Sequence, residues 1–233
     1  MIPRMTSAGS YRVSVVVDRS RFPKLFRFVE WRIDVQLAEV RELLRLPMPE
    51  VGLESGQNFA AATSLVNLIA GASVWFYDAS TAGLSGRDSG HRFRETLAAY
   101  WPWDDGEIVD RAEGTRLLYE CVRNPLAHGF GMSRLDDEGS PIAFLKDSLT
   151  TERVEELDLA GARPQGIGPT FRPAGAGAPA RSYLVAVPAL YWGVQRLLRA
   201  VLSDDDQLPA AEELAHALVR FLSAPTDSSH GSR

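Results

Sequence analysis

"SGQNFAAATSLVNLIAGASVWFY", residues 55–77, holds no charged side chain over a length that would cross a bilayer, and how it is read decides the fold. Gln57, Asn58, Thr63, Ser64, Asn67 and Ser73 interrupt it, and no cluster of Lys or Arg flanks either end as a cytoplasmic anchor would. A stretch that is apolar on all sides yet studded with small polar groups is expected to be a central helix buried among other helices.

The flanking sequence supplies those helices. From about Phe22 to Leu46 the residues Phe26, Val29, Ile33, Leu37, Val40 and Leu44 recur every three or four positions, one stripe of an amphipathic helix. Pro47 and Pro49 stop it. Before it, "YRVSVVV" (11–17) is β-branched and fits a short strand or a helix start. After the central stretch, Gly and Ser in "DASTAGLSGRDSG" mark a loop, and "HRFRETLAAYW" is a shorter helix ending at Pro102. "PWDDGEIVDRAEGTRLLYECVRN" (102–124) reads as another helix, with Asp104 or Asp105 as N-cap and Ile108, Ala112, Leu118 and Val122 on one face. Trp101 and Trp103 are expected to pack its start.

Beyond residue 131 the pattern changes. "RLDDEGSPIAFLKDSL" offers a turn at 137–141 and then a short apolar run, which predicts a small β-hairpin or flap. Residues 161–181, rich in Gly, Pro and Ala, predict a long loop without a phosphate-loop spacing. "YLVAVPALYWGVQRLLRAVL" starts extended and becomes helical from Pro188, with Leu190, Val194, Leu197 and Val201 on one face. A last amphipathic helix covers about Pro209 to Leu222, and a frayed tail follows from about 224. The fold class is mainly α: one elaborated helical domain over 1–233 with a small β insertion.

Composition limits the function classes. At 233 residues, 45% apolar and 24% charged, the chain has the make-up of a globular protein and is too rich in apolar residues for wholesale disorder. A net charge of −5 argues against a general nucleic-acid coat, so any contact with nucleic acid is local. Of the 25 basic residues 23 are arginines, which fits planar phosphate recognition and equally an arginine-rich background composition. Cys121 is the one cysteine, which excludes an internal disulfide and a thiolate metal cluster and fits a reducing cytoplasm. "VSVVV" is too short for the apolar region of a signal peptide, and Arg12 precedes it. His91 and His216 stand in separate helices without companion ligands, so no metal and no cofactor is expected.

The chemistry concentrates in "YECVRNPLAHGFG", residues 119–131. A residue before proline is pushed out of the α region, so Asn124 is expected at a helix end or kink, with Arg123 in the last turn. On an unbroken helix, positions five apart point about 140° away from each other. Arg123 and His128 therefore converge on one group only if the helix breaks at Asn124 and Pro125, or if two chains pair across a twofold axis. Arginine forks onto phosphate oxygens, imidazole moves protons near neutral pH, and Asn124 can orient either. Together they suit phosphodiester cleavage by internal attack of a ribose 2′-hydroxyl. A purely structural reading also fits: Arg123 as a cation at a helix C-terminus and His128 capping a turn before Gly129.

"RNPLAH" resembles the signature of HEPN (higher eukaryote and prokaryote nucleotide-binding) domains, an arginine followed by a polar residue and, four to six positions later, a histidine. Arg123, Asn124 and His128 match in order and type over about Leu117 to Gly131. The resemblance implies an all-α bundle, a homodimer with the motifs meeting at its interface, and a metal-independent endoribonuclease acting on RNA. It also implies a toxin–antitoxin or phage-defence setting, with a cognate antitoxin or defence-system protein as partner. Members of the family without catalysis imply the alternative of a binding or assembly module. Where one branch carries a nucleotide-accepting tyrosine two residues after the histidine, this chain has Phe130, so the resemblance does not extend to that branch.

Two further groups invite a role. Arg19, Arg21, Lys24, Arg27 and Arg32, interleaved with Phe22, Phe26, Phe28 and Trp31, fit an RNA track or an amphipathic helix with rings inside. Glu120, one turn before Arg123, fits an orienting carboxylate, a second acid or an ordinary exposed helix pair.

Overall fold

The stripe that begins at Phe26 becomes one long helix in three parts: α1 (Pro23–Phe28), a π-helical turn (Val29–Asp34) and α2 (Val35–Arg45). The computed structural model describes residues 11–46, 56–76, 89–103, 109–128, 142–145, 156, 171–173 and 183–223, and at 56–58, 128, 142–145, 171–173 and 219–223 the backbone alone. Val29, Ile33, Leu37, Val40 and Leu44 are buried, with Phe26 at the edge of the core. Each leucine so placed contributes about 2 kcal/mol through loss of apolar surface to water.

The extra residue of the π turn lets two consecutive side chains, Ile33 and Asp34, both face inward. Asp34 there accepts from the Val13 amide at 2.7 Å, the Ser14 amide at 3.3 Å and the Ser14 hydroxyl at 2.5 Å. Those amides are spent on a carboxylate rather than a sheet partner. Residues 11–17 accordingly form no strand; a 3-10 turn covers Ser14–Val16. At the start of α1 the N-cap Phe22 offers no side-chain acceptor, and Glu212 takes its place, accepting from the amides of Lys24 at 3.0 Å and Leu25 at 2.6 Å.

Helix α3 (Gly56–Trp75) is the predicted central element and packs against α2. Ala61, Ala62, Leu65, Val66, Leu68, Ile69 and Ala72 are buried, and two of its hydroxyls are satisfied within the helix itself. Thr63 donates to the Phe59 carbonyl and Ser73 to the Ala70 carbonyl, each at 2.7 Å. Among the described residues no helix is long and apolar enough to cross a membrane.

Helix α4 (Ser89–Tyr100) packs on α3 and leads through Trp101 and Trp103 to α5 (Arg111–Leu117). Trp101 is buried, and Trp103 donates its indole N–H to the Leu97 carbonyl at 3.0 Å. The N-cap of α5 is Asp110, which accepts from the Glu113 amide at 2.8 Å, so the helix starts later than a cap at Asp104 or Asp105 would have it. Ile108 lies outside the described residues, and Ala112 is exposed; the buried face is carried by Leu117, Leu118, Cys121 and Val122.

The chain then continues through a second π-helical turn (Leu118–Arg123) into α6 (Asn124–His128). The β part is a three-stranded sheet and not an isolated hairpin. β1 (Ile142–Leu145) runs parallel to β3 (Tyr183–Ala186), which pairs antiparallel with β2 (Phe171–Pro173). β2 falls inside the stretch expected to be loop. α7 (Val187–Leu202) follows β3 directly, with Pro188 in its first turn, where a missing N–H is harmless. Leu190, Val194, Leu197 and Val201 are all buried, α7 packs on α3 and α4, and α8 (Leu208–Ser223) packs on α1. The tail from 224 lies outside the described residues.

Candidate functional site

Of the two outcomes expected at Asn124, a helix end or a kink, the end does not occur, and the irregularity at that place is the π turn Leu118–Arg123 that leads into Asn124. Proline lacks an N–H and its ring presses on the carbonyl four residues back, which normally stops a helix. Here the π turn precedes Pro125: Asn124 keeps helical angles (φ −65°, ψ −47°) and donates its amide to the Tyr119 carbonyl, five residues back. The hydrogen-bond ladder is thereby re-phased by one residue ahead of the missing donor, and the helix runs on to His128. At the α-helical period the Cα atoms of Arg123 and His128 then lie about 140° apart around the axis. No break gathers the two within one chain.

Arg123 and Asn124 are brought together. The Arg123 guanidinium donates through Nη1 to the Asn124 side-chain oxygen at 2.9 Å, and it lies 5.8 Å from the centroid of the Tyr119 ring. Both residues are half-buried. His128 closes α6, and its side chain lies outside the described residues, as does Phe130.

Glu120 does not orient Arg123. It accepts from Arg116 at 3.2 Å, while Glu113 holds the same guanidinium with two bonds of 2.8 Å. Those carboxylates, Glu113 first, raise the Arg116 pKa further above its ordinary value, and its charge is neutralised within the helix. Among the described residues no carboxylate pairs with Arg123.

The neighbouring helix contributes two residues that sequence reasoning passed over. Arg94 of α4 lies 5.0 Å from the centroid of the same Tyr119 ring, and Phe93 tilts against that ring at 5.4 Å. Gly90 makes the approach possible, since a Cβ there would overlap the Tyr119 hydroxyl. Tyr119 stands four residues before Arg123, a spacing that brings helix side chains together and was legible. Nothing in the sequence ties Arg94 to it.

A groove of about 930 Å³ lies elsewhere, bounded by Tyr11, Arg12, Glu30, Asp34, Glu39 and Glu42 among others. Its carboxylates outnumber its cations, the wrong charge for a polyanion. The basic aromatic stretch folds as an amphipathic helix: Phe22 is buried, Phe28 stacks on Trp75 at 5.1 Å, and Arg27 and Arg32 are exposed. Trp31 departs from that reading, being 71% exposed. Among the described residues no group of three His, Cys, Asp or Glu side chains is placed to hold a metal ion.

No protein-family model matches the chain, and neither does any curated protein or solved structure.

Proposed function

We propose that the protein is a metal-independent endoribonuclease of the HEPN type, acting as a homodimer on RNA in a toxin–antitoxin or phage-defence setting. The observation that supports it is an arginine held by Asn124, without a carboxylate partner among the described residues, ahead of a histidine at the family's spacing. Arg123 holds the scissile phosphate and offsets the charge gained by the phosphorane, and Asn124 fixes its fork. His128 accepts the proton of the ribose 2′-hydroxyl, whose oxygen attacks phosphorus. The bond from phosphorus to the 5′-oxygen breaks, and that oxygen takes up a proton from an imidazolium. The products are a 2′,3′-cyclic phosphate and a 5′-hydroxyl. The continuity of the helix through Asn124 supports drawing the arginine and the histidine at one phosphate from two chains.

The test is incubation of the purified protein with mixed RNAs and excess chelator, beside Arg123→Ala and His128→Ala. Cleavage by the wild type alone, with cyclic-phosphate ends, is expected. Intact RNA in the wild-type reaction, or equal cutting by the variants, removes the enzymatic reading. A non-catalytic module that binds a cationic partner is the second reading, favoured by the net charge of −5 and by the groove at Glu30, Glu39 and Glu42. Harmless expression in a bacterial host, with stable co-purification of a basic protein, is its expected outcome.

A further inference from the structure

Two guanidiniums are drawn to one ring. Arg94 and Arg123 lie 5.0 and 5.8 Å from the Tyr119 centroid, arriving from different helices. A single arginine on a tyrosine is an ordinary surface contact worth well under a phosphate bond. Two like charges on the same ring repel each other, and that cost is normally relieved by a carboxylate. The chain has carboxylates at hand and uses them elsewhere: Glu113 and Glu120 are both committed to Arg116. Glu95, next to Arg94 in sequence, forms no ion pair with it. Among the described residues Arg94, like Arg123, meets no carboxylate. An anion bound from outside would satisfy such a pair.

We propose that Arg94 is a second phosphate-binding residue, and that Tyr119 is a positioning residue which sets Arg94 and Arg123 to grip consecutive phosphodiesters of one RNA strand. The inference rests on the nuclease reading and extends it, assigning backbone binding to α4 and cleavage to the motif. Both arginines are half-buried, as suits a side chain that packs along its stem and presents its fork to a ligand. Phe93 and Gly90 meet the ring from the other helix, so α4 and the π turn are packed together at Tyr119.

The experiment measures binding of a fluorescent single-stranded RNA dodecamer, 2′-O-methylated throughout so that it cannot be cut, alongside cleavage of its unmodified counterpart. Arg94→Ala is expected to weaken binding about tenfold and to lower the slope of log affinity against log salt by about 0.7, the value of one single-strand phosphate contact. Arg94→Lys, which keeps the charge without the fork, is expected to recover the salt slope but only part of the affinity. Tyr119→Leu is expected to resemble Arg94→Ala in binding, and Arg111→Ala, an exposed arginine at the start of α5, to match the wild type. If Arg94→Ala binds and titrates with salt as the wild type does while Arg123→Ala is impaired, the inference falls and the nuclease stands. If both arginine variants lose binding but the wild type cuts nothing, the phosphate site stands and the nuclease falls. A wild type that binds no RNA overturns both.

Discussion

Asn124 sits within 2.9 Å of the Arg123 guanidinium, and one atom decides what that contact does. An amide oxygen orients the arginine without cancelling its charge; a carboxylate in the same place would pair with it and compete with phosphate. Asn124→Asp is therefore expected to lower cleavage on the order of 10²-fold, the scale of losing one transition-state donor, with the melting temperature little changed. Steady-state RNA cleavage beside a thermal melt checks it, and unchanged cleavage would show that Arg123 does not face the substrate. Asp34 presents the opposite case, a buried carboxylate whose pKa is raised by desolvation even though Ser14 and Val13 hydrogen-bond to it. Because its folded pKa is above the unfolded value of about 3.9, its contribution to stability is full below that pH and is lost as pH rises through the folded value. The advantage of the wild type over Asp34→Asn in denaturant unfolding should thus shrink as pH is raised from about 4; an advantage that grows would contradict the assignment. Asp34→Ala leaves the Val13 and Ser14 donors without an acceptor and should cost about 2–4 kcal/mol.

Helices were legible wherever a stripe of apolar residues marked them. Val29 to Leu44 and Leu190 to Val201 are buried as their spacing demands, because removing a leucine from water outweighs most local preferences. The two π turns were not legible, since one extra residue barely disturbs a stripe read at intervals of three or four. The cap at Asp110 was within reach: Asp110 and Glu113 have the spacing of a capping box, but Asp104 and Asp105 offer a competing start a few residues earlier. The β1–β3 pairing was out of reach, because it joins segments about 40 residues apart and no local rule selects the partner. The candidate site divides in the same way, with Arg123, Asn124 and His128 evident as a motif and Arg94 visible only once α4 and the π turn are packed together. At this scale Pro125 is the telling residue. Pro125→Ala restores a backbone donor and removes the reason for re-phasing the ladder, so helix stability should hold or rise while cleavage falls as Arg123 is re-aimed. A thermal melt and a cleavage assay read the two effects, and a variant that melts lower yet cuts normally would be at odds with this account. At the start of α1, Glu212→Ala strips the acceptor from the Lys24 and Leu25 amides and should cost about 1–2 kcal/mol in urea unfolding.

For the molecule as a whole, a continuous helix from Arg111 to His128 has one consequence that no residue or element shows alone. The Cα atoms of Arg123 and His128 on one chain lie about 140° apart around the helix axis, which is why the proposed site takes its two residues from two chains related by a twofold axis. The most direct measurement is co-expression of Arg123→Ala and His128→Ala chains carrying different tags, followed by cleavage of RNA with the assembled mixture. Each variant alone is inactive on this account, and the mixture should regain roughly a quarter of wild-type activity, since half the dimers are mixed and one of their two sites has both residues. A mixture as inactive as its components would contradict the claim that Arg123 and His128 of partner chains act on one phosphate.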